Sequence, residues 1–377
     1  MSALAPLPRA ARLLAPSPAN IAEAGAVLAA GGLCAFPTET VYGLGANALN
    51  ETAVRRIFEV KQRPLTDPLI VHVSTCDEAL ALVDLGAVDS LARRAFEALA
   101  ATFWPGPLTM VCEARPHLPK CLSAGTSTVG VRCPSHPLAL ALLRSAGVPV
   151  AAPSANVFGH VSPTSARHVL DDLGEHDMVV LDGEAFDGDA CCEHGIESTV
   201  CKIFEDDGGV VLRIFRRGAV SQSALSAAVL AVCGAGGYRV EETLAENRAD
   251  TAAEAPGQLL THYAPRLPCY LARVGECGAA GGAAPDRAES VVLDFGGRLA
   301  PLRSGAVAYR DLSPLADATQ AANGLFDALR WAEAVSGATA VLVADLSDDR
   351  QSEGILAGVA DRLYRAASGR KVQVQAP

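Results

Sequence analysis

Short apolar runs alternate with helical patterns along the first 150 residues, and that alternation constrains the fold most. Residues 33–36, 69–73, 109–112, 129–132 and 148–152 are short and apolar, as buried strands are. Between them, residues 52–60, 89–101 and 137–145 carry apolar side chains at helical spacing, with Val54, Ile57 and Phe58 on one side of the first. An earlier helix puts Ile21, Ala24, Val27 and Leu28 on one face, stopped by Gly31 and Gly32. Asn20 and Thr52 are placed to cap these two helices. Strand and helix in alternation predict an α/β domain. Strand patterns continue at 178–181, 198–203 and 210–214, and residues 221–233 read as helical.

The character then changes. Residues 234–257 carry glycines and acids and end in Pro256 and Gly257, a linker composition. A second α/β unit begins near residue 268, with strands at 269–272, 290–294 and 340–344 and helices near 314–335 and 351–367. Residues 275–284 read as a flexible Gly/Ala loop. The expected organisation is an arm at 1–18, a first α/β domain at 19–222, a linker at 223–267 and a second, smaller α/β domain at 268–377. A length of 377 residues suits two domains.

Net charge is −11, and neither half is basic, so stable nucleic-acid binding is not expected. No apolar run approaches the ~20 residues of a membrane span, and the first residues lack a signal-peptide pattern. The chain reads as soluble and cytoplasmic. Its 11 cysteines are odd in number and include no CxxC pair. The dense cluster Cys191, Cys192, Glu193 and His194 has adjacent thiols, which seldom chelate one zinc, so no metal site is expected there. Only four residues are lysine: Lys61, Lys120, Lys202 and Lys371.

Gly43, Gly45 and Ala48 fit a dinucleotide G-x-G-x-x-A pattern, with Asp67 about twenty residues on. The context fails, because residues 37–42 separate the strand from the first glycine. A P-loop is absent. Lys61 and Arg63 stand at the end of a predicted helix. They either offset its C-terminal dipole or pair a point charge with a planar fork around phosphate oxygens. Substituting Lys61 with Ala is expected to abolish phosphate chemistry with little loss of stability. Ser154 and Asn156 end an apolar strand, where open α/β sheets bind ligands; the alternative is a polar turn. The hydroxyl-rich loop 123–128 precedes Arg132 and can wrap an anion through backbone N–H groups. Residues 195–199 form a similar turn.

These loops occur in one order: PTETVYGLG (37–45), KQRP (61–64), PLIVH (68–72), SAGTSTVGVR (123–132), PSAN (153–156) and GIESTV (195–200). The ordered set resembles the YrdC-type threonylcarbamoyl-AMP synthases in their long two-domain form. PGQLLTHYAP (256–265) resembles the loop joining the two domains of that form, and NGLFDALR (323–330) and DRLYRAA (361–367) resemble its C-terminal domain. The match spans about residues 20–377. It implies a twisted mixed-sheet YrdC-like catalytic domain plus a smaller Rossmann-like α/β C-terminal domain. It also implies a nucleotidyltransferase that makes threonylcarbamoyl-AMP and pyrophosphate from L-threonine, bicarbonate and ATP. The adenylate then serves downstream tRNA threonylcarbamoyl-transferase proteins that modify the adenosine beside the anticodon.

By this resemblance Lys61, Arg63, Ser154 and Asn156 hold the ATP phosphates and the reacting carbamate. Asp67, Thr128, Ser162 and Arg217 match further nucleotide positions, and Tyr263 closes over the nucleotide. Thr40, His72, Arg132, Ala152 and Ser198 match positions that hold threonine, with Ala152 acting through its backbone. ATP is the substrate, with Mg2+ expected beside it. Two positions depart from the family pattern. Asp67 replaces a frequent Asn, which is unfavourable near phosphates unless Mg2+ or Arg63 offsets it. Residues 212–218 are longer than the usual Arg-Pro-Gly turn, so Arg213 competes with Arg217. An RNA-binding module of the same fold is the alternative function. The related carbamoyl-adenylate chemistry of hydrogenase maturation carries CxxC zinc fingers, which this chain lacks.

Overall fold

Caps decide where the helices begin, and they sit two to three residues earlier than expected. Ser17 caps the helix Pro18–Ala29, with Pro18 pre-set for the first turn. Asn50, rather than Thr52, caps Glu51–Lys61 by accepting from the Ala53 amide at 3.2 Å. That helix ends because Gln62 turns left-handed, with φ 53°. The computed structural model describes residues 10–187, 191–243, 252–275, 284–351 and 353–375. The first nine residues of the expected arm, most of the loop 275–284, and residues 244–251 of the expected linker lie outside the described residues. Residues 12–14 are no loose arm. Arg12–Leu14 pairs in parallel with Val179–Leu181 and forms one edge of the large sheet.

That sheet has twelve strands of mixed direction. At its centre, Ile70–His72 runs parallel to Thr128–Arg132 and antiparallel to Val150–Ala151. Leu108–Ala114 follows, then Thr199–Asp206, the long strand Gly209–Arg216, and Tyr238–Glu242 at the far edge. The residues Gly43, Gly45 and Ala48 do not form a strand-to-helix turn. Gly43–Asn47 is itself a strand, paired antiparallel with Cys34–Phe36. A Cβ on Gly45 would meet Phe36 Cε1 and Val150 Cγ1, each at 2.9 Å, so close packing accounts for the glycine. Helices Glu51–Lys61 and Leu91–Phe103 bury Ile57, Phe58, Phe96 and Leu99 with the strand side chains in one core. Each such burial contributes about 1.5–3 kcal/mol.

The second sheet is all parallel, as expected for a Rossmann-like unit. Its order is Ala308–Asp311, Ser290–Asp294, Ala340–Ala344, Cys269–Val274, Lys371–Val374. The fourth strand in chain order lies between the second and the first, which differs from the dinucleotide-binding order 3-2-1-4-5. Helices Ala318–Ala334 and Ile355–Ala366 cover it. Val41, Val161 and Ile196 of the large-sheet region pack into this second core, so the two units share a seam. No helix among the described residues is long and apolar enough to cross a membrane.

Candidate functional site

The mixed strand directions place the site on a face of the large sheet rather than along one edge. His72 and Arg132 sit side by side at the carboxyl ends of their strands. Val150–Ala151 runs the other way, so the following loop 153–156 emerges at the opposite edge. Ile70 and His72 point to the same face. Together with Arg132, Ala152 and Gly43 they line one cavity. A Cβ on Gly43 would lie 3.2 Å from that of Ala152, so the glycine keeps the floor open.

At one end, Arg132 is buried, and each of its three guanidinium nitrogens makes one contact. It forms an ion pair with Glu39 Oε1 at 2.6 Å and donates to Thr40 Oγ1 at 3.0 Å and to the Gly106 carbonyl at 3.3 Å. Burial works against the Glu39 carboxylate, but Arg132 outweighs it and lowers its pKa. Beside them, burial and the Arg132 charge lower the His72 pKa to about 3, so its imidazole is neutral and its Nδ1 has no partner. Ser198 exchanges a hydrogen bond with Thr109 at 2.8 Å.

The other end is lined by Arg63 and Ser154; Lys61, 1% exposed, and Asn156 lie behind it and do not line the cavity. The Lys61 Nζ donates to the Ser154 carbonyl at 2.6 Å and to the Asn156 carbonyl. Burial lowers its pKa well below the lysine value, with Arg63 adding to the effect and Asp67 and Asp172 opposing it. Arg63 donates to the Asp67 and Pro68 carbonyls at 3.1 and 2.8 Å. Its guanidinium pairs with the Asp67 carboxylate at 3.0 Å, so Arg63 is what offsets that acid. Asn156 donates to the Val157 and His160 carbonyls, and its side-chain oxygen is buried without a partner.

Arg217 is not brought to the cavity. It turns away and forms a bidentate pair with Glu242 at 2.5 and 2.6 Å. Arg213, its competitor, pairs with Glu241. Arg216 lines the cavity instead, donating to the Ser198 carbonyl at 3.0 Å and to its hydroxyl at 3.1 Å. The cause is a β-bulge. Arg216 faces Val200, but Ile214 faces Cys201, so one extra residue re-aims the strand end. Counting residues back from Gly218 cannot reveal this. Thr128 also lies off the cavity, four residues or about 13 Å along its strand from Arg132, bonded to Thr126 at 3.2 Å. Ser162 is buried and also off the cavity lining, donating to Glu197 at 2.5 Å.

The loop 256–263 closes the face. Tyr263 stacks on Phe326 of the second unit at 5.6 Å and lies against His262 at 4.1 Å. Its φ of 58° is rare for an aromatic residue. Gly257 has φ +82°, and a Cβ there would lie 2.8 Å from the Tyr263 hydroxyl. The space left beneath is about 50 Å³, room for waters, whereas small-molecule sites span ~300–1,000 Å³.

Arg63, Arg132, Arg216 and Glu197 thus line the cavity, and Lys61, Glu39 and Asp67 lie behind them. Among the described residues no group of three or more His, Cys, Asp or Glu side chains is placed to hold a metal. Asp67 and Glu197 are each already paired with an arginine.

Residues 26–218 match the Sua5/YciO/YrdC family model, described as telomere recombination. Residues 220–368 match the model described as threonylcarbamoyl-AMP synthase, C-terminal domain. The chain belongs to the threonylcarbamoyl-AMP synthase family. It is 33% identical over 368 residues to the Bacillus subtilis threonylcarbamoyl-AMP synthase, covering 94% of each chain. It is 39% identical over 236 residues to that of Pyrococcus abyssi, 62% of each. The solved structure of Pyrococcus abyssi Sua5 complexed with L-threonine superposes with a TM-score of 0.77 at 30% identity, covering 97% of this chain and 100% of that one. These relatives favour the synthase over the RNA-binding alternative.

Proposed function

We propose that the chain is an L-threonylcarbamoyladenylate synthase that joins L-threonine, bicarbonate and ATP, releasing pyrophosphate. The observation that carries this reading is one cavity with two chemically distinct ends, an Arg132 end and an Arg63–Ser154 end with Lys61 behind it, under one closing loop. Arg132 is suited to a carboxylate and neutral His72 to an amine or hydroxyl. Thr40, Ser198 and the Ala152 backbone complete a threonine subsite. Lys61, Arg63, Ser154, Asn156 and Arg216 neutralise and orient the triphosphate.

The amine of threonine adds to CO2 with loss of a proton, or condenses with bicarbonate with loss of water, to give a carbamate. A carbamate oxygen attacks the α-phosphorus in line, and pyrophosphate leaves with the electron pair. No covalent protein nucleophile is needed; the work is positioning and charge neutralisation. Mg2+ arrives on the triphosphate. Tyr263 and Gly257 withdraw to admit ATP and return to exclude water from the mixed anhydride. The product passes to tRNA threonylcarbamoyl-transferase proteins in the cytoplasm.

The test is pyrophosphate release. Release that requires threonine, bicarbonate and ATP together supports the reading. Equal release with serine removes the threonine assignment, and no release from folded protein refutes the enzyme.

A further inference from the structure

Among its described residues the accessory unit carries no constellation that would do chemistry of its own, yet it sends one side chain to the back of the cavity. Arg362, in the helix Ile355–Ala366, has no exposed surface. Its Nε donates to Glu197 Oε2 at 3.0 Å, its Nη1 to the Arg217 carbonyl at 2.6 Å, and its Nη2 to the Glu197 carbonyl at 3.3 Å. Its guanidinium also lies over the Tyr263 ring, 5.4 Å from the centroid. Glu197 lines the cavity, and its other oxygen accepts from Ser162.

We infer that Arg362 is a positioning residue for the nucleotide site, acting through Glu197 and Tyr263. The inference rests on the synthase reading above.

Three physical consequences follow from the geometry. Arg362 neutralises a buried carboxylate that would otherwise face the incoming triphosphate. It places a cation against the ring of the closing tyrosine. It also fixes the carbonyl beside Arg216, the residue that the bulge turns inward. One turn on, Arg365 donates to the Leu259 carbonyl at 2.6 Å and pairs with Asp361 at 3.0 Å, so the same helix holds the closing loop. The fit allows little slack. A Cβ on Gly358 would lie 2.8 Å from Ile196 Cδ1, and one on Gly195 would lie 2.3 Å from the Ala322 carbonyl oxygen. A seam meant only for adhesion is more cheaply built from apolar side chains than from a buried guanidinium.

The experiment compares the full chain with Arg362→Gln and with the Glu197→Gln/Arg362→Gln double variant. It reads KM for ATP, KM for threonine, the ratio of AMP to threonylcarbamoyl-AMP formed, and the ATP Kd measured without threonine. Arg362→Gln should raise KM and Kd for ATP about tenfold or more, leave KM for threonine within about twofold, and increase the AMP fraction as water reaches the anhydride. The double variant removes both charges of the Arg362–Glu197 pair together, so it covers the case in which the single variant does not fold. It should recover most of the ATP affinity but retain the raised AMP fraction, because the cation at Tyr263 is still missing. Unchanged KM, Kd and product ratio, with only a smaller active fraction, overturn the inference. The same holds if the double variant matches the unmodified chain in product ratio. The ATP Kd is read whether or not pyrophosphate appears, so failure of the synthase reading is distinguishable.

Discussion

Replacing Lys61 with Met tests two roles at once. The methionine keeps the stem volume but removes the Nζ that bonds the Ser154 and Asn156 carbonyls. Two buried carbonyls are then orphaned, each at a cost of about 1–3 kcal/mol. Relief of the lysine's own desolvation offsets part of this, leaving a net loss of about 2 kcal/mol. For a unit of this size that lowers Tm by about 4–8 °C. The sequence alone suggested little loss of stability, on the reading that Lys61 serves the phosphates rather than the helix end. Loss of a preorganised cation at the phosphates should also cut turnover by about 10²–10³-fold. Thermal unfolding followed by circular dichroism reads the first effect, and pyrophosphate release at 25 °C the second. A Tm within about 1 °C of the unmodified chain would refute the carbonyl-anchoring argument. Turnover within about tenfold would refute the phosphate role.

Arg216→Ala should depress kcat/KM by about 10²-fold or more, while Arg217→Ala, which breaks a surface pair with Glu242, should change it less than about threefold; steady-state kinetics on both variants check the bulge assignment. Burial and the Arg63 charge lower the Lys61 pKa, so ATP, which requires the charged form, should bind with net proton uptake and more weakly as pH rises; calorimetry in buffers of different ionisation enthalpy measures this. His160 bridges Asp172 and Glu333 across the seam at 2.8 and 3.0 Å. Burial disfavours its charge, but the hydrogen bonds to Asp172 and Glu333 outweigh burial and raise its pKa. Its contribution is therefore full below the unfolded value near ~6.5 and lost as pH rises through the folded one; Glu333→Gln should flatten that alkaline decline in Tm.

The elements that carry the site were readable because their signals are local. The residues around Lys61, His72, Arg132 and Ser154 fall at strand ends or helix ends, which apolar runs, prolines and glycines mark in sequence. Caps were misplaced by a few residues because Asn50 and Ser17 compete with nearby polar side chains on equal intrinsic terms. Arg216 was missed because a bulge leaves no residue pattern of its own. Glu39, Glu197 and Arg362 were missed because each acquires its role only from a partner distant in the chain: Arg132, Ser162 and Glu197.

The sequence by itself determined the alternation of short strands and helices, and hence an α/β chain in two units with a polar loop at each strand end. It also determined the chemical vocabulary of those loops. The tertiary structure decided how that vocabulary is arranged. Mixed strand directions, which depend on which strands pair rather than on any one strand's residues, moved the site from a sheet edge to a sheet face. The shared seam then brought Tyr263 and Arg362 to it. Strand polarity and docking are set by contacts between segments far apart in the chain, and local propensity carries no information about them.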